Sequence, residues 1–339
     1  MMSKYKLTAR CGRAKAGAGV LVMMIFSVAF SACTPNDDAR VVIPTEMKDV
    51  PLSLKLTSGP HSYRFLLSTV TLNTVVDQAM AKRDLKPLTP AECAVRECPD
   101  IVNGESETPF KYYWLPQLQA GQWTIPSDFA LAPFDYAEHA EEPGGRVDGV
   151  LGVTTIGTLN WLWNRSAGTM SGYRADSRFF AAERSKMVCT AMEMLGGRAP
   201  AIQLELGGQP QWFEIDTAMT GKLSGNLNRK HLAALRAGNG IAAEVMFTPK
   251  GRPAESGRHA LVQPKSISLA GVPLDGLAFD EIVAYGDSTL GVSFLQKLDN
   301  AAFDFGDHRF CIPASTRVKP DTLPTQAELE RLATPTPHD

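Results

Sequence analysis

A segment in the second half of the chain reads Glu-Ile-Asp-Thr-Ala-Met at residues 214–219, and one in the first half reads Leu-Leu-Ser-Thr-Val-Thr at residues 66–71. Each follows two alternating strand patterns joined by a turn that contains glycine and proline, over residues 52–67 and 202–215. Ser68 and Asp216 hold the same position in the two segments, 148 residues apart. The two halves of the chain are therefore predicted to share one strand-and-turn unit.

Two further landmarks repeat in the same order. Gly121 and Gly271 each follow an alanine, and they lie 150 residues apart. The pattern Gly-Val-(Thr/Ser)-x-(Ile/Leu)-x-x-Leu begins at Gly152 and again at Gly291, 139 residues later. A helix is predicted after the first hairpin of each half, over residues 75–83 and 227–236. Three ordered landmarks indicate duplication, so the fold class is predicted as mostly β, with two antiparallel lobes related by a pseudo-twofold axis.

At these landmarks the chain resembles the retropepsin and pepsin aspartic peptidases, and particularly the bacterial aspartyl-protease-like proteins. In that family a strand ends in two apolar residues, an Asp, a Thr or Ser, a Gly and an Ala, and a later apolar strand with a Gly passes beside it. The resemblance covers roughly residues 50–313. It implies two retropepsin-like lobes that form a pepsin-like bilobal body, with Asp216 as a candidate catalytic residue and Gly152 and Gly291 as structural glycines.

The chain departs from the family pattern at the catalytic position of the first half, where Ser68 replaces the aspartate. Val70 and Ala218 replace the glycines of the two turns, whereas Thr69 and Thr217 are kept. The resemblance implies that these threonines form a hydrogen-bonded grip between the lobes. A serine cannot carry negative charge near neutral pH, so the dyad is expected to be degenerate. Without the repeat, Asp216 would be interpreted as a strand-end aspartate that satisfies turn amides.

Three functions follow from this pattern. The favoured one is an inactive or impaired peptidase homologue that binds a peptide or protein segment in the inter-lobe cleft. The first alternative is an active aspartic endopeptidase that uses Asp216 with a second acid from elsewhere. The second alternative is a structural envelope lipoprotein with a vestigial cleft.

The N-terminus predicts export and a lipid anchor. Five basic residues precede an apolar stretch at residues 20–30, which is too short to span a bilayer and ends in Phe-Ser-Ala before Cys33. This resembles the lipobox of bacterial lipoproteins, in which the cysteine is acylated after cleavage. The alternative is an ordinary cleaved signal peptide. Thr34 is not the aspartate of inner-membrane retention, so the expected place is the outer membrane, facing the periplasm.

Composition limits the partners. Removal of residues 1–32 leaves 29 basic and 36 acidic residues, a formal charge of −7, which argues against nucleic acid. The six histidines lack metal-ligand spacing, and no cofactor or metal is expected. The expected partners are a polypeptide segment in the cleft and the membrane, through the anchor.

Four cysteines remain if Cys11 leaves with the signal and Cys33 is acylated, and four cysteines allow three pairings. Cys93 and Cys98 are close enough to close a short loop, so we pair them, which leaves Cys189 with Cys311. The alternative is a buried free thiol, above all at Cys311.

The predicted division of the chain assigns a signal, a tether, two lobes, a linker and a disordered tail. The ranges are 1–32 for the signal, 33–47 for the tether, 48–175 for the first lobe, 176–199 for the linker, 200–313 for the second lobe and 314–339 for the tail.

Overall fold

A computed structural model describes residues 38–45, 51–96, 98, 110–134, 145–247, 259–282, 286–325, 328 and 329 of the 339-residue chain. Residues 38–339 cluster into one compact unit. The predicted signal peptide and Cys33 lie outside the described residues. Within the part of the chain that is described, none of the helices has the length and apolar character needed to cross a membrane.

In the described part of the first half there are short strands and four brief helices. In chain order these are β1 (Val41–Pro44), β2 (Ser53–Ser58), β3 (His61–Leu67), β4 (Val75–Asp77), α1 (Gln78–Asp84), β5 (Lys86–Pro87), α2 (Pro90–Val95), β6 (Tyr112–Trp114), β7 (Gln119–Ala120), β8 (Trp123–Thr124), β9 (Phe129–Phe134), β10 (Gly149–Leu151), α3 (Val153–Ile156), β11 (Asn160–Asn164), β12 (Thr169–Tyr173) and α4 (Arg178–Arg184).

The second half repeats this alternation. Its elements are β13 (Met187–Leu195), β14 (Ala199–Leu206), β15 (Gln209–Ile215), β16 (Gly225–Asn228), α5 (Arg229–Ala237), β17 (Ile241–Phe247), β18 (His259–Pro264), β19 (Ile267–Leu269), β20 (Val272–Pro273), β21 (Phe279–Ile282), β22 (Ser288–Leu290), α6 (Val292–Leu295), β23 (Asn300–Asp304) and β24 (Arg309–Pro313).

These strands form two large sheets. The first has the order β5-β6-β9-β4-β10-β3-β2-β7-β8. The second begins with a platform, β1-β12-β11-β23-β24-β13, and continues through the β13–β14 pairing into β14-β15-β22-β16-β21-β18-β17, with β19 and β20 attached to β14. The prediction of a mostly β, bilobal body is confirmed.

The predicted strands of both hairpins are also confirmed, in β2–β3 and β14–β15. Alternate residues point inward on each strand, so Phe65 and Leu67 in β3 and Phe213 and Ile215 in β15 are fully buried in the main core. The turn of the second hairpin uses Gly207–Gly208 at φ +59° and +80°, a conformation that glycine adopts without the steric cost that a side chain brings.

The two predicted helices begin three and two residues later than expected. The sequences at 75–77 and 225–228 are strands, and each strand ends in a residue that caps the following helix. Asp77 accepts hydrogen bonds from the N–H groups of Ala79 and Met80, and Asn228 accepts one from His231. A polar side chain in this position stops the strand and starts the helix.

The predicted tether and linker both contain structured segments. β1, within the predicted tether, pairs with β12 at the edge of the platform. α4 and β13 occupy most of the predicted linker, and β13 pairs with both β24 and β14. The Pro- and Asp-containing composition of residues 33–47 does not prevent four of them from adding a strand, because Val41 and Ile43 are buried against the core.

The predicted disordered tail is also partly ordered. Residues 314–325 are described, and Thr316 and Asp321 are buried. Asp321 forms several hydrogen bonds to the second half of the chain, which fix this segment in place. The prediction of disorder from residue 314 onward is therefore wrong for this stretch.

Candidate functional site

Ser68 and Asp216 occupy equivalent positions in the two halves. Each follows directly on the strand of its hairpin, β3 or β15. The backbone N–H of Ser68 donates to the carbonyl of Leu151 at 3.0 Å, and that of Asp216 donates to the carbonyl of Leu290 at 2.9 Å. The same backbone contact therefore holds the serine in one half and the aspartate in the other.

The strand that supplies this carbonyl passes between two others in both halves. β10 runs parallel to β3 and antiparallel to β4, and β22 runs parallel to β15 and antiparallel to β16. A glycine follows each passing strand, as the sequence predicted. A Cβ atom at Gly152 would lie 2.5 Å from the carbonyl oxygen of Asn73, and one at Gly291 would lie 2.8 Å from that of Met219. Both glycines therefore permit a close backbone approach beneath the Ser68 and Asp216 loops.

Thr69 and Thr217 join the two loops. The N–H of Thr69 donates to the Oγ1 of Thr217 at 3.3 Å, and the N–H of Thr217 donates to the Oγ1 of Thr69 at 3.2 Å. The Thr217 hydroxyl donates to the Leu67 carbonyl at 2.7 Å, and the Thr69 hydroxyl donates to the Ile215 carbonyl. Both threonines are buried, so these four hydrogen bonds form a closed, dry connection between the halves.

Ser68 has no charge to contribute. Its hydroxyl oxygen accepts hydrogen bonds from the N–H of Thr71 at 3.2 Å and the hydroxyl of Thr71 at 2.9 Å. The residue is buried, at 3% exposure. The hydroxyl proton remains available for donation, but the group cannot take a proton from water near neutral pH.

Asp216 supplies a carboxylate with a perturbed affinity for protons. Burial raises the pKa of Asp216, because water is excluded from the charged form, while the backbone N–H groups of Ala218 and Met219 oppose the rise. The N–H of Ala218 reaches Oδ1 at 2.8 Å. The site therefore pairs one acid with one neutral hydroxyl position.

The outer faces of the two sheets differ in chemistry beside these loops. In each half, five directly paired residues form one row across the strands, and paired residues point to the same face. The row of the first half is Leu66, Val150, Val75, Leu131 and Tyr112, and the row of the second half is Glu214, Thr289, Asn226, Asp280 and Leu261. The first row is apolar with one tyrosine, and the second row is polar in four of its five positions.

A pocket lies over each row. The N-half pocket, of about 470 Å³, is lined by Leu72, Tyr112, Phe129 and Leu131 together with polar residues such as Asn73 and Asp128. The C-half pocket, of about 490 Å³, is lined by Met219, Asn226, Leu261 and Asp280 together with residues of the C-terminal segment. Because the rows match position by position, the two pockets are pseudo-twofold equivalents. Sequence patterns did not reveal them, since each row joins strands that lie far apart in the chain.

Glu214 adds a second perturbed acid on the Asp216 strand. Burial raises the pKa of Glu214, and the negative charges of Asp287 and Asp216 add to the rise, while Arg198 opposes it. Glu214 precedes Asp216 by two residues, so an extended strand directs both side chains to one face.

Both predicted disulfides are present. Cys93 bonds to Cys98 across a separation of five residues, and Cys189 bonds to Cys311 across 122 residues. The second pair joins directly opposite residues of β13 and β24 in the platform. Among the residues that the structure describes, no group of three or more His, Cys, Asp or Glu side chains is placed to hold a metal ion.

Comparisons with known proteins give a structural likeness. No protein-family model matches the chain, and no curated protein matches it. The chain is similar to the solved structure of conglutin gamma, a basic 7S globulin from lupine seeds, at 11% sequence identity and a TM-score of 0.48. The match covers 81% of this chain and 95% of that one. Because the TM-score and the sequence identity are this low, the assignment of the fold rests on the strand order, the equivalent loops and the glycines described above.

Proposed function

We propose that this protein is a catalytically impaired relative of the bilobal aspartic peptidases, which binds an extended polypeptide segment where its two lobes meet. The observation that carries this proposal is the equivalence of Ser68 and Asp216, with the threonine connection beneath them intact. The residues that hold the lobes together are kept, and a residue that the chemistry requires is replaced.

Peptide hydrolysis by two carboxylates requires one of them to be ionised while the other is protonated. The ionised carboxylate takes a proton from the attacking water, and the protonated one donates a hydrogen bond to the substrate carbonyl. A serine can donate the hydrogen bond, but it cannot share the proton. With Asp216 as the single carboxylate, the protein can still bind a substrate, but it lacks the second acid that would share the proton.

The N-half pocket gives the proposed binder an apolar contact. Leu72 belongs to the loop that follows Ser68, and at 37% exposure it is one of three exposed large hydrophobic residues in the described part of the chain. Together with Tyr112 and Phe129 it offers a surface for an apolar side chain of the bound segment. Val70, which is half-exposed two residues after Ser68, replaces a glycine of the family pattern, and its β-branched side chain is expected to hinder a substrate backbone there.

We further propose that the mature protein begins at Cys33, carries lipid there and faces the periplasm from the outer membrane. The basic residues and the short apolar stretch before Cys33 support this proposal.

An unfolded, labelled protein tests binding and cleavage together. Fluorescein-labelled casein is expected to raise its fluorescence anisotropy on addition of the full chain, and to remain intact between pH 3 and pH 7. Tyr112→Asp is expected to weaken binding, and Lys222→Asp, on the exposed side of the other pocket, is the matched control. Binding that is unchanged by Tyr112→Asp would contradict the role of the N-half pocket. Absence of binding would favour a purely structural protein.

An active peptidase is the second candidate, and Glu214 is the observation that favours it. This candidate uses Asp216 as the base and a nearby acid with a raised pKa as the proton donor. It predicts cleavage of the labelled casein that is abolished by both Asp216→Asn and Glu214→Gln. Cleavage with that dependence would replace the first proposal.

A further inference from the structure

The C-terminal segment, of which residues 316–325, 328 and 329 are described, packs against the second half of the chain and lines a pocket there. Its first buried residue is Thr316, and Leu329 at its far end is 7% exposed. Between them, Leu323 and Pro324 line the C-half pocket beside Met219 and Asn226. The segment therefore forms part of the wall of the pocket that is equivalent to the N-half pocket.

A single buried carboxylate holds this segment in place. Asp321 Oδ2 accepts hydrogen bonds from the hydroxyl of Ser224 and the N–H of Ala278, both at 2.7 Å. Asp321 Oδ1 lies 2.7 Å from Nζ of Lys297, and the two side chains are 1% and 15% exposed. Two neutral donors and one cation thus converge on one anion in a nearly dry socket, which we name the Asp321 socket.

Backbone contacts fix the direction of the segment on either side of this residue. The N–H of Asp321 donates to the carbonyl of Gly276 at 2.8 Å, and Nζ of Lys297 also donates to the carbonyl of Lys319 at 3.4 Å. Farther on, the N–H of Thr325 donates to the carboxylate of Glu328 at 2.7 Å, and the N–H of Glu328 returns a bond of 3.3 Å to the Thr325 hydroxyl. These contacts turn the chain so that Leu329 packs inward.

The residues that form the socket belong to the body of the second half, in three separate places. Ser224 lies in the loop after Asp216, Ala278 precedes β21, and Lys297 follows α6. The segment itself contributes an acid, then Thr322, and then Leu323 and Pro324. The body of the second half therefore provides a binding socket for a carboxylate, and the C-terminal segment is bound to it through Asp321. Leu323 and Pro324 of the segment add an apolar contact next to the socket.

We propose that the Asp321 socket and the C-half pocket form a binding site for an extended polypeptide that carries an acidic residue followed, two positions later, by Leu-Pro. The chain's own Asp321 occupies the socket, and its Leu323 and Pro324 form part of the wall of the pocket. A partner with the same pattern binds when that segment is released. In cis, the segment has a high effective concentration, so a free peptide is expected to enter only when the internal contact is weakened.

The test uses the full chain and a fluorescein-labelled synthetic peptide of residues 314–329. In the Asp321→Asn chain the internal carboxylate is lost, and the labelled peptide is expected to bind at least tenfold more tightly than to the wild-type chain. Asp307→Asn, which neutralises an exposed aspartate elsewhere, is the matched control and is expected to behave as the wild type does. Trypsin is expected to cleave after Arg317, which precedes Val318, faster in Asp321→Asn than in Asp307→Asn.

Two further arms test the socket chemistry. In the first, the labelled peptide carries Asn in place of its aspartate, and its affinity for the Asp321→Asn chain is expected to fall at least tenfold. In the second, Lys297→Met is added to the Asp321→Asn chain, and the affinity of the original peptide is expected to fall by a similar factor. Three outcomes would overturn the proposal. They are equal affinity of the two peptides for the Asp321→Asn chain, equal affinity of the original peptide for the wild-type and Asp321→Asn chains, and no binding to the Asp321→Asn chain. These measurements concern the socket and not the Ser68–Asp216 junction, so their failure would leave the proposed function untouched.

Discussion

Thr69 and Thr217 bind each other reciprocally, because the backbone N–H of each donates to the side-chain oxygen of the other. This relationship identifies the two loops as a matched pair even though the residues that precede the threonines differ. It also gives the first prediction, since an isosteric valine removes the hydroxyl without changing the volume greatly.

Thr217→Val is expected to leave the Thr69 N–H and the Leu67 carbonyl unsatisfied in a buried place. The expected loss in free energy of unfolding is about 2–4 kcal/mol, at roughly 1–2 kcal/mol for each unsatisfied group. Urea unfolding at pH 7 measures this loss, and Thr124→Val on an exposed strand is the control. The double variant with Thr69→Val should lose less than the sum of the single losses, because the bonds are shared. Strict additivity would show that the threonines act independently.

Asp216→Asn is expected to raise the free energy of unfolding above that of the wild type, and by more at neutral pH than at acid pH. Burial raises the pKa of Asp216 above its unfolded value. Stability from such a group is fully present below the unfolded pKa and is lost as pH rises through the folded pKa. The asparagine variant lacks that loss, so the stability difference between variant and wild type should grow from pH 3 to pH 7. Thermal unfolding at a series of pH values checks this, and a pH-independent difference would contradict it.

Ser68→Asp is expected to create a coupled pair of carboxylates. Two acids held close together cannot both ionise easily, so one apparent pKa of the pair should rise. The variant should therefore lose stability as pH increases from 4 to 7, more steeply than the wild type. Ser68→Asn, which has a similar shape and no charge, is the control. Carbon-13 NMR titration of the carboxyl groups gives the direct measurement, and two independent, ordinary titrations would show that the positions do not face each other.

The two disulfides are expected to contribute unequally. In the chain-entropy account, a loop of 122 residues stabilises the folded state by about 5 kcal/mol and a loop of five residues by about 2 kcal/mol. Replacement of Cys189 and Cys311 by alanine should therefore lower the unfolding midpoint more than replacement of Cys93 and Cys98. Mass spectrometry of unreduced protein checks the pairing first, and recovery of Cys93 and Cys98 as free thiols would refute it.

Cys33→Ala is expected to abolish incorporation of radiolabelled palmitate in bacterial cells that express the chain. The basic residues and apolar stretch remain in this variant, so export itself should continue. Cys11→Ala, which lies within the predicted signal, is the control and should still be labelled. Palmitate incorporation into Cys33→Ala would contradict the lipoprotein prediction.

Local patterns in the sequence predicted the duplicated hairpins, the equivalent positions of Ser68 and Asp216, and the need for Gly152 and Gly291. Each of these depends on a few neighbouring residues that occur twice. The same logic placed the helices too early, because Val75 and Leu227 suit a strand or a helix until the cap residue after them is considered. The disulfides were predictable because an expected oxidising compartment and an even cysteine count left few pairings.

The contrast between the two pockets could not be predicted in this way. Leu131 and Asp280 are equivalent only through the register of several strands that meet from distant parts of the chain. The position of the C-terminal segment depends similarly on Asp321, whose partners Ser224 and Lys297 lie 73 residues apart in a sequence that shows no pattern linking them. Composition alone suggested disorder there, because the segment is rich in proline and threonine. The buried contact between Asp321 and Lys297, which composition does not reveal, orders the segment instead.

The strand order of the platform also has a consequence for how the protein is made. Its six strands come from residues 41–44, 160–173, 187–195 and 300–313, so the sheet cannot close until nearly the whole chain has been synthesised. Contacts of such long sequence separation slow folding and leave unpaired strand edges exposed in the meantime. A chain that stops before Asn300 would lack β23 and β24, which connect β11 to β13 in the platform, and would also lack the disulfide partner of Cys189. The nine-stranded sheet uses only residues 53–151, so closure of the platform is expected to be the late step of folding.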